Sequence, residues 1–469
     1  MKIEQIYTGC LAQGAYYIES KGEAAIIDPL REVEPYIKKA EQDQAKIKYI
    51  FETHFHADFV SGHVDLAKKT GGQIVYGPNA ETGYDSHIGV DGEVFPLGDV
   101  QIKLLHTPGH TMESSTYLLI DEDGKEHAIF SGDTLFIGDV GRPDLAVKTD
   151  LTREDLAGHL YSSLRNKIMT LPDDVIVYPA HGAGSACGKN MSKETWDTLG
   201  HQKEVNYALR ADMTREEFIT EVTSGILPAP QYFAKNAMMN KSGYDSIDHV
   251  MEKGQVALDV ETFEAMANHE GAMVLDTRSK EAFVEEHIPN SIFIGIDGSF
   301  APWVGALIVD LKQPIIFVSD EGREEEVVTR LSRVGYDNTL GYLEGGMKAW
   351  KEAGKETDSI ESVTADDLES KIGTEKMTVL DVRKPGEYTS EHVDGAMTFP
   401  LDYINDHMEE LDKKEKYYIH CASGYRSVIA SSILKSRGYH NIADISGGFK
   451  AIQQTGIKKT DYVCPTTLK

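Results

Sequence analysis

The chain has 469 residues, 41% apolar and 26% charged, which allows about three domains with packed cores and argues against disorder. Its formal net charge is −29, from 47 basic and 76 acidic residues, a field that repels nucleic acid and anionic membranes. The four cysteines, Cys10, Cys187, Cys421 and Cys464, show no paired spacing, so they exclude a disulfide framework and suit a reducing compartment.

The first residues, MKIEQIYTGC, lack a basic region followed by an apolar run, and no apolar stretch reaches membrane-spanning length. A soluble cytoplasmic protein without a membrane partner is expected. AYYIES, KGE and AAIID then read as a hairpin. EVEPYIKKAEQ and VDLAKKTG are helical patterns. Between and beyond them come strand-like runs that each end in a polar loop. IKYIFET leads to His54 and His56, VQIKLL to His106 and His110, AIFSG to Asp133, and VIVYPA to His181. Strand ends are where a rigid scaffold presents chemistry. A single histidine in such a place is more often structural, but four strand ends all carrying His or Asp point to a metal site in a mixed α/β domain.

Downstream, the chain repeats itself. VLDTRSKEAFVEEHIPNS (274–291) matches VLDVRKPGEYTSEHVDGA (379–396), and YLEGGMKAW (342–350) matches DISGGFKAI (444–452). A repeat of roughly 100 residues is a tandem domain, too long for a solenoid unit. The domains are therefore expected at residues 1–245, 250–355 and 360–469, with KEAGKETDSIES (351–362) as a polar linker.

In the last domain YYIHCASGYRS (417–427) runs from a strand into a helix. It places Cys421 where a helix N-terminus and Arg426 both favour an anion, which stabilises a thiolate and cradles a persulfide. Overlaid by the repeat, the middle domain has Ser319 where Cys421 stands and Glu324 where Arg426 stands. Ser319 without a base partner is a poor nucleophile, so this copy is read as catalytically silent.

Two resemblances follow from these motifs. THFHAD (53–58), TPGHT (107–111), SGD (131–133) and PAHG (179–182) resemble the signature loops of the metallo-β-lactamase fold, a sandwich of two sheets between helices. The dinuclear hydrolases of that fold have a histidine after the Asp of the first loop; here Phe59 stands there and cannot coordinate. The likeness is then to the persulfide dioxygenases, which implies one Fe(2+) per chain, with zinc as the alternative, held by His54, His110 and Asp133. It implies His56, Asp58 and His181 as pocket groups. Arg142, in GRPDL, is a candidate for gripping a substrate carboxylate, against a plain ion pair with Asp144. Cys187 is either a sulfur acceptor near the metal or a structural thiol. The Cys421 segment resembles the C-x-x-G-x-R loop of rhodanese, a sulfurtransferase, with Cys421 as nucleophile and Gly424 and Arg426 lining the substrate. Cys-dependent phosphatases keep five residues between Cys and Arg; this loop has four.

The expected architecture is thus α/β: a metallo-β-lactamase αββα sandwich followed by two tandem rhodanese-like α/β domains. The resemblance implies oxidation of a small-molecule persulfide with O2 to sulfite and thiol, and exchange of sulfane sulfur with sulfite and thiosulfate. Glutathione, coenzyme A, bacillithiol and inorganic polysulfide all stay open as the persulfide carrier, and a homo-oligomer is expected. The competing readings are a zinc thioester hydrolase of glyoxalase II type and a non-oxidative sulfur carrier.

Overall fold

A computed structural model describes residues 1–147 and 150–464. The chain divides into two compact units, Met1–Ile247 with Ser332–Gly335, and Asp248–Leu331 with Tyr336–Lys469.

The first unit holds two six-stranded sheets. One contains Lys2–Thr8, Gln13–Ser20, Glu23–Ile27, Lys46–Phe51, Gln73–Tyr76 and His87–Ile88, in that order. The other runs Asp197–Thr198, Ile176–Pro179, Glu126–Gly132, Ser115–Ile120, Val100–His106 and Val94–Leu97. Their facing sides bury Tyr16, Phe51, Val75, Phe95, Leu104, Tyr117 and Phe130 in one core. The outer faces are covered by helices. Glu34–Gln42 and His63–Thr70 put Tyr36, Ala40 and Leu66 against the first sheet. Arg153–Ser163 and Arg215–Thr223 put Leu160 and Phe218 against the second. This is the expected four-layer α/β/β/α sandwich. Both faces of most strands are covered, which explains why runs such as AYYI and YIF are apolar throughout instead of alternating.

The second unit holds two five-stranded sheets of parallel pairs. The first runs Ala257–Leu258, Thr339–Leu343, Ile315–Val318, Met273–Asp276 and Ile292–Phe293. The second runs Ser362–Val363, Ile442–Ile445, Tyr417–His420, Thr378–Asp381 and Met397–Thr398. The two orders are the same, as a duplicated sequence requires. The segment between the copies is pinned, although its composition is that of a loose linker: His287 and Asp358 exchange N–H···O bonds of 2.8 Å, and Lys435 Nζ is 2.7 Å from Asp358 Oδ1. Among the described residues no helix is long and apolar enough to cross a membrane.

Candidate active sites

In the first unit, four strand ends converge on one buried polar cluster. His54, His56 and Asp58 follow Lys46–Phe51, His110 lies in the loop after Val100–His106, Asp133 follows Glu126–Gly132, and His181 follows Ile176–Pro179. All six are buried. One ligand atom from each of His54, His110 and Asp133 falls within 4.8 Å of the others, and the same holds for His56, Asp58 and His181. His106, also at a strand end, turns away: its Nε2 lies 2.9 Å from the Met112 carbonyl.

The rings of the first group are set in the tautomer that a metal needs. Thr53 Oγ1 donates to Asp28 Oδ2 at 2.9 Å, so its oxygen is free to accept from His54 Nδ1, 3.0 Å away. His110 Nδ1 donates to the Arg142 carbonyl at 2.9 Å. Both Nε2 atoms therefore carry lone pairs, and they lie 3.9 Å and 3.4 Å from Asp133 Oδ2. Ligands on one ion with bonds of about 2.1 Å are separated by roughly such distances. Burial, with His56, His110 and His181 close by, holds the His54 pKa well below the usual histidine range, so its ring is neutral and competent to ligate. Both Asp133 oxygens, both His181 nitrogens and Asp58 Oδ1 are buried without a hydrogen-bond partner. Orphaned carboxylate oxygens beside an imidazole lone pair fit a cation.

The second group is differently placed. Phe59 is fully buried, with its ring centroid 4.3 Å from that of His56 and 6.4 Å from that of His181. His56 Nε2 lies 3.0 Å from Asp28 Oδ1 and 3.8 Å from Glu52 Oε2, without the alignment of a hydrogen bond. Burial opposes charge on this ring, but Asp28 and Glu52 outweigh it and hold the pKa up at about 9. His181 Nε2 stands 3.4 Å from Asp58 Oδ2 and 3.5 Å from Asp133 Oδ1. Asn240 clamps the loop: its amide donates to the carbonyls of His56 and Phe59 at 2.7 and 2.8 Å, and its oxygen accepts from Ser61 N. Asp28, Glu52 and Asn240 were not singled out in the sequence. Glu52 directly precedes the first loop motif and could have been noticed; Asn240, on the distant helix Phe233–Ser242, carries no local signal.

Arg142 and Cys187 both border this cluster. The Arg142 side chain is buried, with bonds of 2.7 and 2.8 Å to Asp144 and further bonds to the carbonyls of Ala186 and Leu227. The guanidinium is thus engaged within the protein, and the part of Arg142 that reaches the cluster is its carbonyl, on His110. Cys187 Sγ shares a 4.8 Å neighbourhood with Asp133 and His181. Burial, then Asp58 and Asp133, push its thiol well above the usual range.

In the second unit Cys421 follows the strand Tyr417–His420 and is buried. Its Sγ accepts from Gly424 N at 3.1 Å, and the helix Tyr425–Ser436 begins directly after. The loop carbonyls of Cys421 and Ala422 accept from Phe449 N and Lys450 N. Gly447 and Gly448 set this contact with φ of +77° and +58°; a Cβ on Gly448 would come within 2.5 Å of Cys421 O. Arg426 makes two parallel bonds to Glu387, of 2.6 and 2.8 Å. Glu387 is a further residue that the sequence did not single out. In the other copy the strand Ile315–Val318 leads to Ser319. There Gly322 N donates to Glu324 Oε1 at 3.2 Å, so a carboxylate already sits where an anion would be cradled.

Comparison with known proteins agrees with this division. Residues 8–181 match the metallo-beta-lactamase superfamily, and residues 259–353 and 364–455 match the rhodanese-like domain. A probable hydroxyacylglutathione hydrolase of Schizosaccharomyces pombe is 34% identical over 166 residues, which are 35% of this chain and 60% of that protein. The chain thus spans less than two thirds of that relative's length. Persulfide dioxygenase ETHE1 of Homo sapiens is 30% identical over 211 residues, covering 45% of this chain and 74% of that protein. A crystal structure of a metallo-beta-lactamase from Staphylococcus aureus superposes with TM-score 0.64 at 31% identity, covering 73% of this chain and 98% of that one. The chain belongs to the metallo-beta-lactamase superfamily, as a member in which two rhodanese-like domains follow the sandwich in sequence.

Proposed function

We propose that the first unit oxidises a low-molecular-weight persulfide with O2 to sulfite and thiol, and that Cys421 passes sulfane sulfur to or from sulfite. The work would be done in the cytoplasm, on a carrier thiol such as glutathione, coenzyme A or bacillithiol. The observation that carries the reading is the Phe59 ring packed on His56. It removes a ligand from a second metal position and leaves His54, His110 and Asp133 as a complete set for one ion.

Two histidines and one carboxylate with free positions suit Fe(II). Iron held there would supply O2 activation and a seat for the terminal sulfur. The chain's own residues orient and insulate. Thr53 and the Arg142 carbonyl fix the two ligand rings, as outer partners of metal ligands commonly do. His181, beside both Asp58 Oδ2 and Asp133 Oδ1, would take and return protons around the substrate together with Asp58. The stoichiometry is R–S–SH + O2 + H2O giving R–SH, sulfite and two protons.

In the sulfur transfer, a sulfite lone pair attacks the outer sulfur of a Cys421 persulfide. The S–S bond breaks, Cys421 leaves as thiolate, and thiosulfate is formed with no external oxidant or reductant. The Gly424 N–H, 3.1 Å from Sγ, stabilises the thiolate as charge returns to it.

A second reading, zinc-dependent thioester hydrolysis, is favoured by one observation: His56, Asp58 and His181 still bring ligand atoms within 4.8 Å. Metal analysis with oxygen-electrode measurement on glutathione persulfide separates the two. One iron per chain with O2 uptake is expected. Two zinc ions with thioester hydrolysis and no O2 uptake would overturn the oxidation, and sulfur held on Cys421 without O2 uptake would leave a carrier.

A further inference from the structure

The Cys421 loop is overhung by a cation that its own domain does not supply. Within the domain the loop's own cation is Arg426, but its guanidinium is bound bidentately by Glu387. Such a fork-to-fork pair offsets most of the charge that an incoming anion would feel. The other cation comes from the silent copy. Lys280, the first residue of the helix Lys280–Glu285, donates from Nζ to the Ser423 carbonyl at 3.0 Å. A Cβ built on Gly424 would lie 3.0 Å from the same nitrogen. The ammonium therefore lies against the two residues just before the Cys421 helix. Its side chain is about one third exposed, with Glu281 Oε1 3.6 Å away, so it faces both loop and solvent.

Packing holds Lys280 in this place. Tyr425 donates from its hydroxyl to Gly295 O at 2.7 Å. Its ring fills the space where Gly298 has no side chain, and its centroid is 5.8 Å from that of Phe293. Phe293 N in turn donates to Ser432 Oγ at 3.0 Å. These contacts tie the silent copy to the first residue and to the third turn of the helix that starts at the nucleophile loop. The Ser423 carbonyl takes one of the three ammonium protons, leaving two for a ligand.

We propose that Lys280 is an anion-recruiting residue of the Cys421 site, lent by the second domain, and that it draws doubly charged sulfur oxyanions such as thiosulfate and sulfite to the loop. The inference rests on the sulfur-transfer reading of Cys421 and gives the copy without a cysteine a part in that chemistry. Lys280 forms and breaks no bond; it raises the local concentration of the attacking or donating anion.

The test compares the full-length protein with Lys280→Met and Lys280→Arg. Alkylation of Cys421 by negatively charged iodoacetate and by neutral iodoacetamide is followed by peptide mass spectrometry. The ratio of the two rates is expected to fall about fivefold in Lys280→Met, the size of an exposed charge interaction, and to return in Lys280→Arg. In thiosulfate-dependent sulfur transfer the same variant is expected to raise KM several-fold and to change kcat less. An unchanged alkylation ratio overturns the proposal. A wild-type protein that alkylates with the charge preference but transfers no sulfur sinks the reading of Cys421 and leaves Lys280 as an anion site.

Discussion

Phe59 and His56 lie ring against ring, with centroids 4.3 Å apart and planes inclined by 32°. The phenyl ring is fully buried and stands against the imidazole that a second metal ion would use. It offers such an ion no ligand atom. Phe59→His is therefore expected to raise bound metal from one toward two ions per chain and to lower O2 uptake, as read by elemental analysis and an oxygen electrode on the same preparation. Metal content that stays at one ion would mean that Phe59 is not what limits the site.

The ligand rings depend on their outer partners. Thr53→Val keeps the shape of the side chain but removes the oxygen that faces His54 Nδ1. Metal affinity is expected to fall roughly 10–100-fold, the usual effect of losing such a partner, and stability by about 1–3 kcal/mol, because the buried Asp28 Oδ2 loses its donor as well. His110→Ala is expected to abolish both metal binding and O2 uptake. Titration with a competing chelator distinguishes the two degrees of loss.

Cys421→Ser removes the only thiol in the loop and leaves the first unit untouched. O2 uptake should persist while the product shifts from thiosulfate to sulfite. Ion chromatography of the products checks this, and an unchanged product ratio would mean that the transferase role is wrong.

Asp444 gives a test by pH. Burial holds its carboxyl up at about 6, with Ser427 and Lys280 pulling the other way, and its Oδ1 has no hydrogen-bond partner. The folded protein thus binds this proton more tightly than the unfolded chain does. The group's contribution is fully present below the ordinary aspartate pKa and is lost as pH rises through about 6. Asp444→Asn should accordingly raise the unfolding temperature of the second unit at pH 8, by an amount worth at most about 3 kcal/mol, with the gain vanishing near pH 4. Calorimetry at both pH values reads the difference, and a gain of equal size at both would point to packing instead.

Much of the site was legible because its parts are local. His54, His110, Asp133 and His181 each follow an apolar run, so strand and ligand are read together, and the repeat announced two copies of one fold. What escaped was non-local. Asn240 clamps the first loop from some 180 positions away. Glu387 neutralises Arg426 across the domain, which changes the role that a motif alone assigns to that arginine. Arg142 was read for its charge, yet its backbone oxygen is what meets His110. Residue type gave no hint of that.

The glycine pair behind the nucleophile loop also stands in the copy without a nucleophile, where Gly345 and Gly346 have φ of +70° and +57°. The backbone path is thus kept where the cysteine is absent. A mould of this kind accepts a new thiol more readily than a new fold accepts a mould. Ser319→Cys together with Glu324→Arg would ask how much of a sulfurtransferase is loop shape and how much is the two side chains set into it.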